Sequence, residues 1–313
     1  MKVVVGLDGS RQSQVAQQLV SSLGWPQGTQ FAFVTAYAGH EPHDSAIPGV
    51  GWFHEASAAT RRPDLLDELD ALADPVRRAG HVVEVRVEKG QPGKVLGGIA
   101  NEGAADLVVV GSRGHGAAAS AFLGSVSADL ADHCACPVLV ARSPRISRVL
   151  VATDGSASAQ AIPRVLGRWS LLRGLPFEVL SVAPRSTTGA DFLITAWAPS
   201  GDGADPRFED PETVHHWQHV DGLIGELSEA GFPATGVVRH GDPAHEIVAA
   251  GQHPGSLIIV GSRGLGDLQR ILIGSVAHKV LLHSHCSVLV MRGHVPARLT
   301  EGVPAGVRSL SLS

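Results

Sequence analysis

Apolar positions fall along the chain in short continuous runs that alternate with stripes of helical spacing. Val3 to Leu7 is such a run, the pattern of a strand buried on both faces. Ser10 then stands where a side-chain oxygen would cap a helix, and Val15, Leu19 and Leu23 recur every four residues after it. Phe31 to Tyr37 predicts a second strand. Leu65, Leu66, Leu69, Leu72 and Val76 draw a helical stripe across residues 63–79, in which Pro75 is expected to kink or break the helix. Val83, Val85 and Val87 alternate with charged residues, as on a half-exposed edge strand. A short helix over 94–102, a buried strand over 107–110, a helix over 125–132 and a last strand over 138–141 complete the series. Strand–helix alternation of this kind predicts an α/β fold, a parallel sheet with helices on both faces. Residues 38–62 and 184–216 break the alternation. They are rich in Gly, Pro, Asp and His and read as long loops able to act as lids.

The pattern occurs twice. Residues 110–142 and 260–292 share 15 of 33 positions without a gap, at a shift of 150. Each copy carries Gly, two residues, Gly, nine residues, then Gly-Ser: Gly111, Gly114, Gly124 and Ser125, then Gly261, Gly264, Gly274 and Ser275. Upstream, Val3 to Ser10 matches Val149 to Ser156, including both Asp-Gly-Ser turns, and Gly90-Gln91-Pro92 matches Gly241-Asp242-Pro243. The chain is a tandem duplication joined near residues 143–147. Domains over 1–145 and 146–295 are expected, followed by a disordered tail over 296–313.

Composition narrows the function. With 44% hydrophobic and 18% charged residues the sequence is that of a globular protein. A net charge of −5 and 4% aromatic residues give no footing for nucleic acid. No apolar run approaches the roughly 18 residues of a membrane span. Three cysteines and an opening that enters directly into a strand-like run point to a reducing, cytoplasmic setting.

A glycine loop leading from a strand to a helix start offers backbone N–H groups to phosphate. Gly111 and Gly114 would let backbone approach a ligand closely, and Arg113 and Arg263 would add charge-assisted contacts. Asp8 and Asp154, at the ends of the first strand of each half, would hydrogen-bond a base or ribose or help hold a metal ion, beside a capping role in an Asx turn. His133-Cys134-Ala135-Cys136 and His283-Ser284-His285-Cys286 lack finger spacing. Cys136 and Cys286 begin apolar strands, where cysteine acts as a small hydrophobe, and no metal site is expected. His215-His216-Trp217-Gln218-His219 reads as a solvated loop or helix start, with a ligand lid as the sharper alternative.

These motifs resemble the universal stress protein family in its tandem, ATP-binding form. The Asp-Gly-Ser turns, the G-x-P turns, both glycine motifs and the strands Cys-Pro-Val-Leu-Val and Cys-Ser-Val-Leu-Val carry the resemblance, which spans most of the chain. It implies two Rossmann-like domains, each a five-stranded parallel sheet of order 3-2-1-4-5, paired through their last strands. It implies ATP, with or without Mg2+, in each half. The cofactor-binding set it implies in the first half is Gly6, Asp8, Ala36, Gly111, Ser112, Arg113, Gly114, Gly124, Ser125, Val126 and Ser127. In the second it is Ala152, Asp154, Val182, Gly261, Ser262, Arg263, Gly264, Gly274, Ser275 and Val276. Backbone at Ala36 and Val182 would read adenine. Ala277 stands where the first half has Ser127, so the second site is expected to lack one phosphate contact, at a cost of about 1 kcal/mol.

No Walker lysine, G-x-S-x-G elbow or dinucleotide G-x-G-x-x-G after the first strand is present, and no catalytic base can be assigned. The expected role is therefore a nucleotide-dependent regulator in the stress response, with an unidentified protein partner and a homodimer of tandem chains as its assembly. An ATP-cleaving, adenylyl-transferring enzyme of the related α/β group is the alternative, and a scaffold without nucleotide is a third reading.

Overall fold

The computed structural model describes residues 1–37, 55–112, 123–169, 171–184, 211–262 and 273–292, with backbone alone at 55–64. In the first half the elements run β1 (Lys2–Gly6), α1 (Arg11–Ser22), β2 (Gln30–Tyr37), α2 (Glu55–Arg78), β3 (Val82–Lys89), α3 (Pro92–Glu102), β4 (Leu107–Gly111), α4 (Ser125–His133) and β5 (Val138–Ala141). In the second they run β6 (Arg148–Ala152), α5 (Ala157–Gln160), α6 (Ile162–Trp169), β7 (Phe177–Ala183), α7 (Pro211–Glu229), β8 (Ala234–His240), α8 (Pro243–Ala250), β9 (Ser256–Gly261), α9 (Ser275–His283) and β10 (Ser287–Met291).

The strands join in the order β3-β2-β1-β4-β5-β10-β9-β6-β7-β8. Every pair within a half is parallel, so each half has the order 3-2-1-4-5. The two last strands meet antiparallel, with Leu139 opposite Leu289. Alternate residues of one strand serve opposite faces. Val3 and Val5 pack with Leu19 of α1 and Leu69 of α2, whereas Val4 packs with Leu96 of α3 and Leu130 of α4. Each face is one continuous apolar layer running through both halves.

Local chemistry sets the helix starts. Ser10 accepts from the Ser13 N–H at 3.1 Å, as its position predicts. Asp242 caps α8 through the His245 N–H at 2.9 Å, and Pro92 and Pro243 occupy first helical positions, where their missing N–H costs nothing. Three expectations are corrected. Helix α2 begins at Glu55, so residues 55–62 are helical rather than loop. Helix α7 begins at Pro211, which takes 211–216 out of the second loop. Pro75 does not break α2: Leu69, Ala73 and Val76 are buried on the sheet, and Gln17 donates to the Leu72 carbonyl at 2.9 Å, so tertiary contacts hold the helix through the proline. The remaining parts of the two long stretches and residues 293–313 lie outside the described residues. Among the described residues no helix is long and apolar enough to cross a membrane.

Candidate functional site

In a parallel sheet of order 3-2-1-4-5 a crevice opens at the carboxyl ends of the first and fourth strands, where the chain turns away in opposite directions. In the second half those strands are β6 and β9. A cleft of about 420 Å³ lies there. Its walls are Ala152, Thr153 and Asp154 after β6, Leu180 and Val182 of β7, Pro243 and Ile247 of α8, Val260 and Gly261 of β9, and Gly274 to Ala277 at the start of α9. Seven residues singled out from sequence meet on this surface: Ala152, Asp154, Val182, Gly261, Gly274, Ser275 and Val276. Ser262 is 2% exposed; its N–H donates to the Met291 carbonyl and its own carbonyl accepts from Gly274, both at 2.7 Å, so it ties the loop to the sheet. Arg113, Gly114, Arg263 and Gly264 lie outside the described residues.

The first half repeats this frame. Gly6 ends β1 and Asp8 follows; Ala36 lies near the end of β2, and Gly111 ends β4. Ser112 is buried and its carbonyl accepts from Gly124 at 2.7 Å, as at Ser262. Asp8 and Asp154 each accept from the N–H two residues on, at Ser10 and Ser156, at 3.0 Å. The glycine between has φ +76° at Gly9 and +75° at Gly155, a left-handed conformation that glycine adopts without strain. Capping and ligand roles are compatible, because a carboxylate has two oxygens.

Gly111 has a packing role beside the one its motif suggested. A Cβ there would stand 2.7 Å from the Gln12 carbonyl carbon, so the glycine is required by the close crossing of α1 over β4. At Gly261 the neighbour is Ser158 of α5. Gly111→Ala is accordingly expected to lower stability by about 1–3 kcal/mol through overpacking against rigid backbone. Denaturant midpoints of the variant and parent check this; equal midpoints would show that the crossing can open freely.

The phosphate-type feature is the pair of helix starts. Gly124 and Gly274 are the N-cap residues of α4 and α9, and neither supplies a side-chain cap. The first helical bonds run from Ala128 to Gly124 and from His278 to Gly274, so the N–H groups of 125–127 and 275–277 precede the intrahelical ladder at the positive end of the dipole. Ser127 is 1% exposed and donates to the Gly124 carbonyl at 2.9 Å. Its hydroxyl proton is turned back to the loop, a bond that Ala277 cannot make in the second half.

One feature was missed in sequence. Thr35 donates to the Leu7 carbonyl at 2.7 Å, and Ser181 donates to that of Thr153 at 2.9 Å; these buried hydroxyls hold the chain as it leaves β1 and β6. A lone hydroxyl inside an apolar strand was the available signal. The histidine segment that the sequence singled out as a loop or helix start lies inside helix α7. His216 Nδ1 lies 2.8 Å from Ser181 Oγ, and His219 packs on Gly155. Burial first, then the neighbouring histidines, hold the pKa values of His216 and His219 below the usual imidazole range.

The sequence model of the Universal stress protein family matches residues 1–142 and again 145–292. The chain belongs to that family. It is a tandem, two-domain universal stress protein. Universal stress protein Mb2028c of Mycobacterium bovis is 31% identical over 207 residues, 62% of this chain and 63% of its own length. The chain spans between 46% and 73% of the length of the curated relatives it matches. A solved universal stress protein from Archaeoglobus fulgidus DSM 4304 covers 94% of this chain and 98% of its own, with a TM-score of 0.61 at 18% identity, and shares the fold. Another from Archaeoglobus fulgidus was solved in complex with dAMP; it covers 46% of this chain and 96% of its own, at 19% identity and a TM-score of 0.31.

Proposed function

We propose that each universal stress domain of this chain, 1–145 and 146–295, binds one ATP, and that the chain is a cytoplasmic, nucleotide-dependent regulator in the stress response rather than an enzyme. The observation that carries the reading is the cleft of the second domain, where an apolar wall and an uncapped helix start face one space of about 420 Å³. That volume lies within the range of pockets that take drug-sized ligands. Leu180, Val182, Ile247 and Val260 suit a base, Asp154 suits ribose hydroxyls, and the N–H groups of Ser275 and Val276 suit phosphate oxygens. Asp154 also offers an oxygen to Mg2+ accompanying the phosphates. The first domain is proposed as the tighter site, because Ser127 holds its loop in place before phosphate arrives.

The test is denaturation of the purified protein, with identification of what is released. About two ATP per chain is the expected result. One per chain fits two unequal sites. ADP or AMP in place of ATP moves the reading to hydrolysis or adenylyl transfer. No nucleotide, with none bound on titration, leaves a scaffold.

A further inference from the structure

Helix α7 opens with three histidines whose side chains divide into two groups. His216 turns to the sheet, with Nδ1 2.8 Å from Ser181 Oγ. His215 and His219 are four residues apart, hence neighbours on one helical face. Their Nε2 atoms face each other at 3.1 Å, with ring centroids 4.4 Å apart and planes at 69°. His219 is fixed from below: a Cβ on Gly155 would fall 2.5 Å from its Nδ1, so the ring rests on the Asp-Gly-Ser turn. His215 is exposed to solvent.

Two imidazole nitrogens this close need something between their lone pairs, either a proton or a cation. A zinc ion about 2.0–2.1 Å from each nitrogen in tetrahedral geometry would separate them by about 3.3 Å. The observed separation of 3.1 Å is close to that. Helical i, i+4 histidines, one ring fixed by packing and the other free to adjust, form a two-point chelate. Among the described residues no group of three or more His, Cys, Asp or Glu gathers around one point, so the site is open. Water or an added ligand would fill the other positions.

The arrangement belongs to one domain. Buried Leu69 and Val76 of α2 correspond to buried Val220 and Leu227 of α7 at a shift of 151. At that shift Asp64, Leu65 and Glu68 stand where His215, His216 and His219 do. The histidines are thus not demanded by the packing of this helix in the fold.

We propose that His215 and His219 form a binding site for one divalent transition-metal ion of the Zn2+ or Cu2+ class, beside the cleft of the second domain and absent from the first. The site goes beyond the nucleotide reading and does not depend on it. The full chain, stripped with a chelator, is titrated with Zn2+ by calorimetry and loaded with one equivalent of Cu2+ for electron paramagnetic resonance. The expected result is one ion per chain and a spectrum showing two nitrogen ligands. His215→Ala, at an exposed position that should not disturb folding, and His219→Ala should each weaken this binding at least about tenfold, since one ligand is lost of two. His216→Ala should retain it. Unchanged affinity and stoichiometry in His215→Ala, or a spectrum with one nitrogen ligand, would overturn the assignment.

Discussion

Arg292→Ala is expected to lower the free energy of unfolding by about 2–4 kcal/mol, the range for loss of a buried charged group with its hydrogen bonds. Arg292 follows β10, the last strand of the second domain, and is 7% exposed. Its Nη2 crosses to the first domain and donates to the Ala131 carbonyl and, at 3.4 Å, to that of Leu130. These carbonyls belong to the last turn of α4, at the negative end of its dipole, and the Leu130 carbonyl also accepts from the Cys134 N–H at 2.9 Å. Arg142 makes the reciprocal crossing from β5: Nη2 donates to the Leu281 carbonyl at 2.5 Å and Nη1 to that of Cys286 at 3.3 Å. Each arginine therefore caps the other domain's helix. With the clamp removed, the antiparallel β5–β10 pair and its apolar layers remain, so the halves should lose cooperativity before they separate. Denaturant unfolding followed by two probes should change from one coincident transition to two for the double variant Arg142→Ala, Arg292→Ala. Arg292→Lys should recover part of the loss, because an ammonium keeps the charge but not the forked geometry. A loss below about 0.5 kcal/mol, the usual scale of a surface change, would mean that the arginines do not couple the domains.

The sequence already held the signal for that clamp, because arginine closes both copies of the repeated 33-residue segment. Its meaning was not legible, since the carbonyls it reaches are about 140 to 160 positions away in the chain. The strands were legible because burial on both faces leaves no polar residue in Val3 to Val5 or in Leu107 to Val110. Element boundaries next to proline were less so. Local sterics argue for a break at Pro75, but buried Leu69, Ala73 and Val76 outweigh them. In the site, spacing alone located Asp154, Gly261 and Gly274 on one surface. It did not separate a glycine that makes room for a neighbouring helix, as Gly111 does, from one that makes room for a ligand. Backbone proximity of that kind depends on how helix and strand cross, which no single segment encodes.

Gly274→Asp is expected to weaken nucleotide binding in the second domain roughly a hundredfold while leaving the fold intact. Gly274 caps α9 with φ −66° and ψ 155°, a conformation that aspartate adopts without strain. Aspartate is among the preferred N-cap residues, gaining a few tenths of a kcal/mol over glycine, so the melting temperature should hold or rise. The same carboxylate would accept from the helix N–H groups and put negative charge where phosphate is proposed to sit. Losing two hydrogen bonds to a charged group, at about 1.5 kcal/mol each, weakens binding roughly a hundredfold. Gly124→Asp should do the same in the first domain, where φ is −79°. Nucleotide released on denaturation would fall from two per chain to one in either variant and to none in the pair. The single variants also rank the sites: the chain that keeps the first domain's site should titrate more tightly than the one that keeps the second. Full occupancy in a folded double variant would place the phosphates away from both helix starts. Loss of melting temperature together with loss of nucleotide would instead assign these glycines to the packing of the loop.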